Sequence, residues 1–122
     1  MFNRLSILLV IMSSSAVAAP APGQLDCGVV LSASRAEQVK VPEWQAARRV
    51  VGKERLYFHS APDAGCRQRE LFVVPGDALE AHHEYGIYTE VVYVHPKTKR
   101  ESSGWVETGR LQETMGGRGA SR

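Results

Sequence analysis

Short apolar-alternating segments, separated by turn signals, fill the chain from residue 52 to 111 and constrain its fold more than any other feature. Alternation with period two is typical of strands that bury one face. The predicted strands lie at residues 49–51, 55–59, 71–74, 79–83, 88–95 and 104–107. Clusters such as Pro75-Gly76-Asp77 break the chain between them. Many short strands with tight links predict a mostly β protein, an antiparallel barrel or sandwich.

The N-terminus has the pattern of a secretory signal peptide. Arg4 precedes an apolar run over residues 5–12, and small residues then end in Ala16-Val17-Ala18. This pattern predicts a leader over residues 1–18. The run is shorter than the roughly 20 apolar residues of a spanning helix, and no other segment approaches that length. We therefore expect no membrane span and a periplasmic or secreted protein.

Charge balance limits the partner classes. Loss of residues 1–18 removes Arg4 and no acid, so the 15 basic and 13 acidic residues of the full chain become 14 and 13. Proteins that bind nucleic acid concentrate basic charge on one face. A nearly neutral chain of this length predicts one small domain and no nucleic-acid partner.

Two cysteines, Cys27 and Cys66, remain in a chain predicted to reach an oxidising compartment. An even cysteine count there indicates a disulfide, and with two cysteines its connectivity is fixed. The bridge would close a loop of roughly 40 residues, which the chain-entropy model values at about 4 kcal/mol. A catalytic or redox thiol is the alternative, but the chain contains no Cys-x-x-Cys pair.

The segment before the barrel, residues 19–47, is predicted to be an arm that the disulfide attaches. Ser34 and Glu37 have the spacing of a capping box, so a short helix is expected from Ser34 to about Val41. Pro42 would end that helix and begin a second turn that carries Trp44. The barrel is then assigned to residues 48–111. The glycine-rich residues 112–122 are predicted to be a disordered tail.

The ordered set of motifs resembles a bacterial SH3-type domain of secreted and periplasmic proteins. The motifs are Arg55-Leu56-Tyr57-Phe58, Ala61-Pro62, Pro75-Gly76-Asp77, Tyr85-Gly86 with Tyr88 and Val91, Gly104-Trp105-Val106 and Arg110-Leu111. The resemblance covers residues 50–111 and implies a five-stranded, strongly bent β-barrel with a binding role. No ligand groove of that family can be matched residue by residue, so the type of ligand does not transfer.

Aromatic side chains are the first binding candidates, because a tyrosine offers a flat apolar face and a polar tip. We expect Tyr57, Tyr85, Tyr88 and Trp105 to bind a ligand, and Tyr85 and Tyr88 lie beside a turn. The alternative for Tyr57 and Trp105 is a place in the core.

Metal and catalytic sites are not predicted. His82 and His83 would point to opposite faces of a strand and cannot share one ion. Asp63 and Asp77 occupy turn positions, where hydrogen bonds to the backbone explain them. Ser60 lies in no nucleophile elbow. We therefore expect no cofactor, no metal and no enzymatic activity.

Three functional hypotheses follow. The first is a non-catalytic module that binds a protein or the peptide stems of the cell wall. The second is an inhibitor or immunity protein against a secreted toxin or cell-wall hydrolase, with the loop 61–69 as the inhibitory element and Asp63, Arg67 and Arg69 as its candidate residues. The third, a small hydrolase, has the least support, because the chain has no room for a separate catalytic domain.

Overall fold

The computed structural model describes residues 10–13 and 25–114. In these residues, seven strands form a continuous antiparallel sheet that curls into a half-barrel, an eighth strand of two residues pairs beside it, and one short helix comes first. The elements are α1 (Cys27–Glu37), β1 (Val39–Lys40), β2 (Ala47–Val50), β3 (Leu56–His59), β4 (Arg67–Val73), β5 (Ala78–Tyr85), β6 (Tyr88–Val94), β7 (Glu101–Glu107) and β8 (Leu111–Glu113), with 3₁₀ turns at Glu43–Gln45, Ala64–Cys66 and Thr108–Arg110. The prediction of a mostly β protein with a short N-terminal helix is confirmed.

The order of strands in the sheet is β4-β3-β7-β6-β5-β2-β8, and β1 pairs with β5 beside this path. Successive antiparallel pairs link β5, β6 and β7. Gly86 has a φ of 57° in the tight turn between β5 and β6, a conformation that glycine adopts without steric cost. Within the described residues, β4 and β8 are the two edges of the sheet.

Two strands begin at least three residues earlier than the alternation pattern predicts. β4 begins at Arg67 rather than Leu71, and β7 begins at Glu101 rather than Gly104. The added residues are mainly polar and carry no hydrophobic alternation. Both strands are extended by pairing with neighbouring strands. A local pattern of hydrophobic residues carries no information about that pairing.

The inner face of the curled sheet holds the main core. Its buried members are Val41, Val50, Leu56, Phe58, Val73, Leu79, Ala81, Val91 and Val106. Gly104 lets β7 approach β3 closely, because a Cβ at this position would lie 3.0 Å from the backbone oxygen of His59 and from Cδ1 of Phe58. Any larger residue at 104 would push these strands apart.

Helix α1 begins earlier than predicted. Asp26 is its N-cap, and its Oδ1 accepts hydrogen bonds from the backbone nitrogens of Gly28 at 3.0 Å and Val29 at 3.2 Å. The predicted capping box at Ser34 is wrong, because Ser34 lies inside the helix and its hydroxyl donates to the Leu31 carbonyl. Asp26, which the sequence analysis does not single out, satisfies the first free N–H groups instead. The predicted second turn is present as the 3₁₀ turn after Pro42.

Both faces of the sheet are covered where β3, β6 and β7 meet. Neighbouring residues in a strand point to opposite faces. Phe58, Thr89 and Val106 are buried on the inner face. Their chain neighbours His59, Tyr88 and Trp105 are buried as well, so the outer face is also covered here. We call His59, Tyr88 and Trp105 the outer cluster.

Contacts with α1 fix the helix on this side of the molecule. The first residue of α1, Cys27, forms a disulfide with Cys66, and the two Cα atoms are 5.7 Å apart. Near the other end, Nη1 of Arg35 lies 3.0 Å from Oε2 of Glu90. Glu90 is on β6 and is paired with Trp105 on β7. Helix α1 is therefore attached to the rest of the fold at two points, by a disulfide and by an ion pair.

Predicted segments at both ends fall largely outside the described residues. Of the predicted leader, residues 10–13 are described, and they are exposed and belong to no helix or strand. Gln112 and Glu113, assigned to the tail by the sequence, lie in β8 and pair with β2. Residues 115–122 of the predicted tail lie outside the described part.

Candidate functional site

The outer side of the β3–β4 hairpin carries a cluster of arginines and aromatic rings. Tyr57 on β3 is directly opposite Phe72 on β4, so their side chains share one face. Their ring centroids are 5.7 Å apart. We call this surface the arginine–aromatic face, and its members are Arg55, Tyr57, Arg67, Arg69 and Phe72.

Arginines lie over both rings of this face. The guanidinium carbon of Arg67 is 3.9 Å from the centroid of Tyr57, and that of Arg55 is 4.3 Å from the centroid of Phe72. The four side chains therefore lie together, with the two rings tilted against each other and one guanidinium over each ring. Both distances fall within the range of cation–π attraction, which keeps the long arginine side chains ordered at an exposed surface.

Positive charge at this face acts on the Tyr57 hydroxyl. A hydrogen bond from Arg55 is the main cause that lowers the pKa of Tyr57 below its usual 10.0. Desolvation opposes this effect, and a hydrogen bond from Arg67 adds to the lowering. A phenolate gains from nearby cations, so its proton leaves at lower pH. An anionic group of a ligand would gain from the same cations.

Replacement of Arg55 by glutamine is expected to raise the pKa of Tyr57 towards 10.0, because the hydrogen bond that stabilises its phenolate is lost. The measurement is a pH titration of the Tyr57 ring signals by NMR. The control is Lys97→Gln, which removes an exposed charge from the β6–β7 turn. An unchanged Tyr57 titration in Arg55→Gln would contradict the geometry described above.

An open groove of about 550 Å³ adjoins this face and is lined by Tyr57, Arg67 and Arg69. The three residues come from two separate sequence predictions, one of a ligand-binding tyrosine and one of an inhibitory loop. The structure brings them together. Within the described residues, no ion pair joins Arg55, Arg67 or Arg69 to a carboxylate, so the charge of the groove is not neutralised locally.

The third predicted inhibitory residue, Asp63, has a structural role. Its Oδ1 accepts a hydrogen bond from the backbone nitrogen of Gly65 at 2.8 Å and caps the 3₁₀ turn that ends at Cys66. Arg67 follows this turn directly. The capped turn and the disulfide of Cys66 thus fix the start of β4 and the position of Arg67.

Two of the predicted ligand-binding aromatics are buried. Trp105 is 1% exposed and Tyr88 is 7% exposed, so neither side chain offers a surface to a ligand in this structure. The Tyr88 ring packs edge-on against His59, and desolvation raises its pKa above 10.0. Tyr85 is half-buried at the end of β5 and does not line the groove. The aromatic part of the candidate site therefore centres on Tyr57.

A charged cluster joins α1 to the sheet. Glu90 binds Arg35, and its Oε1 lies 2.8 Å from Nδ1 of His83. Nε2 of His82, the preceding residue, lies 3.7 Å from Oε1 of Glu80 instead. The two neighbouring histidines thus have different partners, as expected for side chains on opposite faces of a strand.

Arg55 and Phe72 are functional candidates that the sequence analysis did not identify. Phe72 lies in a predicted strand, and nothing local shows that it faces Tyr57. The register of β3 against β4 shifts between Tyr57, which pairs with Phe72, and His59, which pairs with Arg67. A short step along β3 therefore corresponds to a longer stretch of β4. That irregularity of pairing cannot be found from alternation of hydrophobic residues.

In residues 10–13 and 25–114, no group of three or more His, Cys, Asp or Glu side chains is arranged to hold a metal ion. Nor does any helix in those ranges have the length and apolar character needed to cross a membrane. The chain matches no protein-family model, and comparisons with curated proteins and with solved structures found no match.

Proposed function

We propose that the protein is a non-catalytic extracytoplasmic binding module with an SH3-like barrel, which recognises a protein or a cell-wall peptide through the arginine–aromatic face. One observation carries the proposal. Arg67 and Arg69 line a groove beside Tyr57 and have no carboxylate partner in the described part of the chain. Exposed cations and aromatic rings at a groove are typical of recognition surfaces.

The arrangement of strands supports the SH3-like assignment. Five of the seven strands on the path run β7-β6-β5-β2-β8, and the β3–β4 hairpin, which carries the Leu56-Tyr57-Phe58 part of the resemblance, continues the sheet beside β7. The 3₁₀ turn Thr108–Arg110 separates the last two of them. A strongly bent five-stranded barrel is the fold that the resemblance implies.

Placement outside the cytoplasm is supported by the disulfide. Cys27 and Cys66 are joined in the structure, and such bonds persist in oxidising compartments. The predicted leader over residues 1–18 points to the same export route.

The proposed role is tested by capture from envelope proteins and from purified peptidoglycan, with wild-type protein compared with Tyr57→Ala and Tyr85→Ala. Tyr57 lines the groove, whereas Tyr85 lies outside it. We expect a ligand that wild type and Tyr85→Ala retain and that Tyr57→Ala loses. Absence of any retained ligand, or loss in Tyr85→Ala with retention in Tyr57→Ala, would refute the proposal for this face.

A second candidate function is inhibition of a cell-wall hydrolase or secreted toxin. The observation that favours it is the position of Arg67, directly after a turn that the Cys27–Cys66 disulfide fixes. Glycoside hydrolases place paired carboxylates in their clefts, and a rigid arginine is complementary to such a site. Inhibition of a purified wall hydrolase by wild type but not by Arg67→Glu would support this function, and equal inhibition by both would oppose it.

A further inference from the structure

We infer that the ligand of the arginine–aromatic face is an extended acidic segment of a partner protein, with carboxylates on alternate residues, that lies along β4. This inference rests on the proposed function and names the chemistry that the same face recognises. Three features of the described residues lead to it: the charge of the groove, the spacing of its arginines, and the position of β4 in the sheet.

Charge determines the sign of the ligand. Arg67 and Arg69 are exposed and line the groove, and Arg55 lies on the same face. The lowered pKa of Tyr57 shows that this positive charge favours an anionic oxygen at the surface. Planar guanidinium groups bind carboxylates through paired, charge-assisted hydrogen bonds. A cationic ligand would be repelled by all three arginines.

Spacing determines the shape of the ligand. Arg67 and Arg69 are two residues apart on a strand, and both side chains border one groove. An extended chain rises about 3.3 Å per residue, so its alternate side chains are about 6.6 Å apart on one face. Carboxylates at alternate positions of an extended ligand would therefore match the two arginines, whereas adjacent carboxylates would point to opposite sides.

The position of β4 leaves room for such a segment. β4 is the last strand of the sheet order, and in the described part of the chain it pairs only with β3, at Arg67, Phe72 and Val73. An extended peptide that docks at a sheet edge aligns its side chains with pockets along that edge. Tyr57 and Phe72 would supply apolar contact beside the arginines, since Phe72 is 37% exposed.

The experiment compares two isomeric peptides that contain the same glutamates and valines. In one peptide the glutamates alternate with valines, and in the other they form one block. Binding to the exported, disulfide-bonded protein is measured by calorimetry, and the site is located by backbone NMR shifts. We expect the alternating peptide to bind roughly tenfold more tightly than the block peptide, because it engages both arginines at once.

Variants separate the site from general attraction of charge. Arg67→Gln and Arg69→Gln are each expected to weaken binding of the alternating peptide by about tenfold, whereas Lys97→Gln, in the β6–β7 turn, is expected to change it little. NMR shifts are expected at residues 67–73 and at Tyr57. Equal affinity for the two peptides, equal effects of the three variants, or no binding up to millimolar peptide would overturn the inference.

A third ligand distinguishes this inference from the proposed function. Soluble peptide stems released from peptidoglycan are tested against wild type and Tyr57→Ala. Tighter binding of the stems than of the alternating peptide, with loss in Tyr57→Ala, would overturn the protein segment as the ligand and leave the binding role intact. Absence of binding to the peptides, the stems and the envelope proteins would refute both.

Discussion

Replacement of both Cys27 and Cys66 by alanine is expected to lower the free energy of unfolding by about 4 kcal/mol, because the bridge closes a loop of roughly 40 residues in the unfolded chain. The loss is a large part of the stability of a small domain. Denaturant unfolding of wild type and variant, both followed by circular dichroism, measures it. A loss below about 1 kcal/mol would contradict the chain-entropy estimate.

Local consequences of the missing bridge can be followed even where the alanine variant does not fold. Helix α1 would keep the Arg35–Glu90 ion pair but lose its covalent attachment at Cys27. Reduction of the folded wild type is therefore expected to increase amide exchange first in residues 27–37. An exchange pattern that rises equally throughout the sheet would show that α1 is not attached separately from it.

Trp105→Ala is expected to destabilise the protein by about 3–5 kcal/mol, the usual cost of truncating a buried large aromatic side chain. Trp105 is 1% exposed, and its backbone oxygen lies 3.0 Å from Nδ1 of His59. Its Nε1 has no hydrogen-bond partner among the described residues. Trp105→Phe should cost less, because it keeps a ring and removes a buried donor without a partner.

The second tryptophan provides a matched control. Trp44 is 70% exposed, so Trp44→Ala is expected to change stability by no more than about 0.5 kcal/mol. Thermal and denaturant unfolding of the three variants test this order. Similar losses in Trp44→Ala and Trp105→Ala would contradict the burial described for Trp105. Since Trp105 offers no surface to a ligand, Trp105→Phe should also retain the binding of wild type.

The chemistry of the candidate site was partly predictable. Tyr57, Arg67 and Arg69 were each identified from sequence, since aromatic rings and exposed arginines are common in recognition surfaces. Their meeting in one groove was not, because it depends on the register of β3 against β4. Arg55 and Phe72 complete the face through contacts across the hairpin, which sequence spacing does not encode.

Burial of the other aromatics also depended on tertiary structure. A strand pattern shows which residues share a face, but it does not show whether the second face is covered. Tyr88 and Trp105 were candidates because they lie in or beside strands near turns. In the structure they are buried as part of the outer cluster, on the side of the sheet where Glu90 binds Arg35 of α1.

The sequence by itself determined the β-rich fold class, the turns and the partner of each cysteine. Period-two alternation indicates strands, and glycine and proline indicate turns, because both act locally. Two cysteines leave only one possible disulfide. The tertiary structure decided where α1 packs, which aromatics are buried and which arginines share a groove. Strand register and the covering of a sheet face arise from contacts between distant parts of the chain, and the energies of those contacts are set only when the chain is folded.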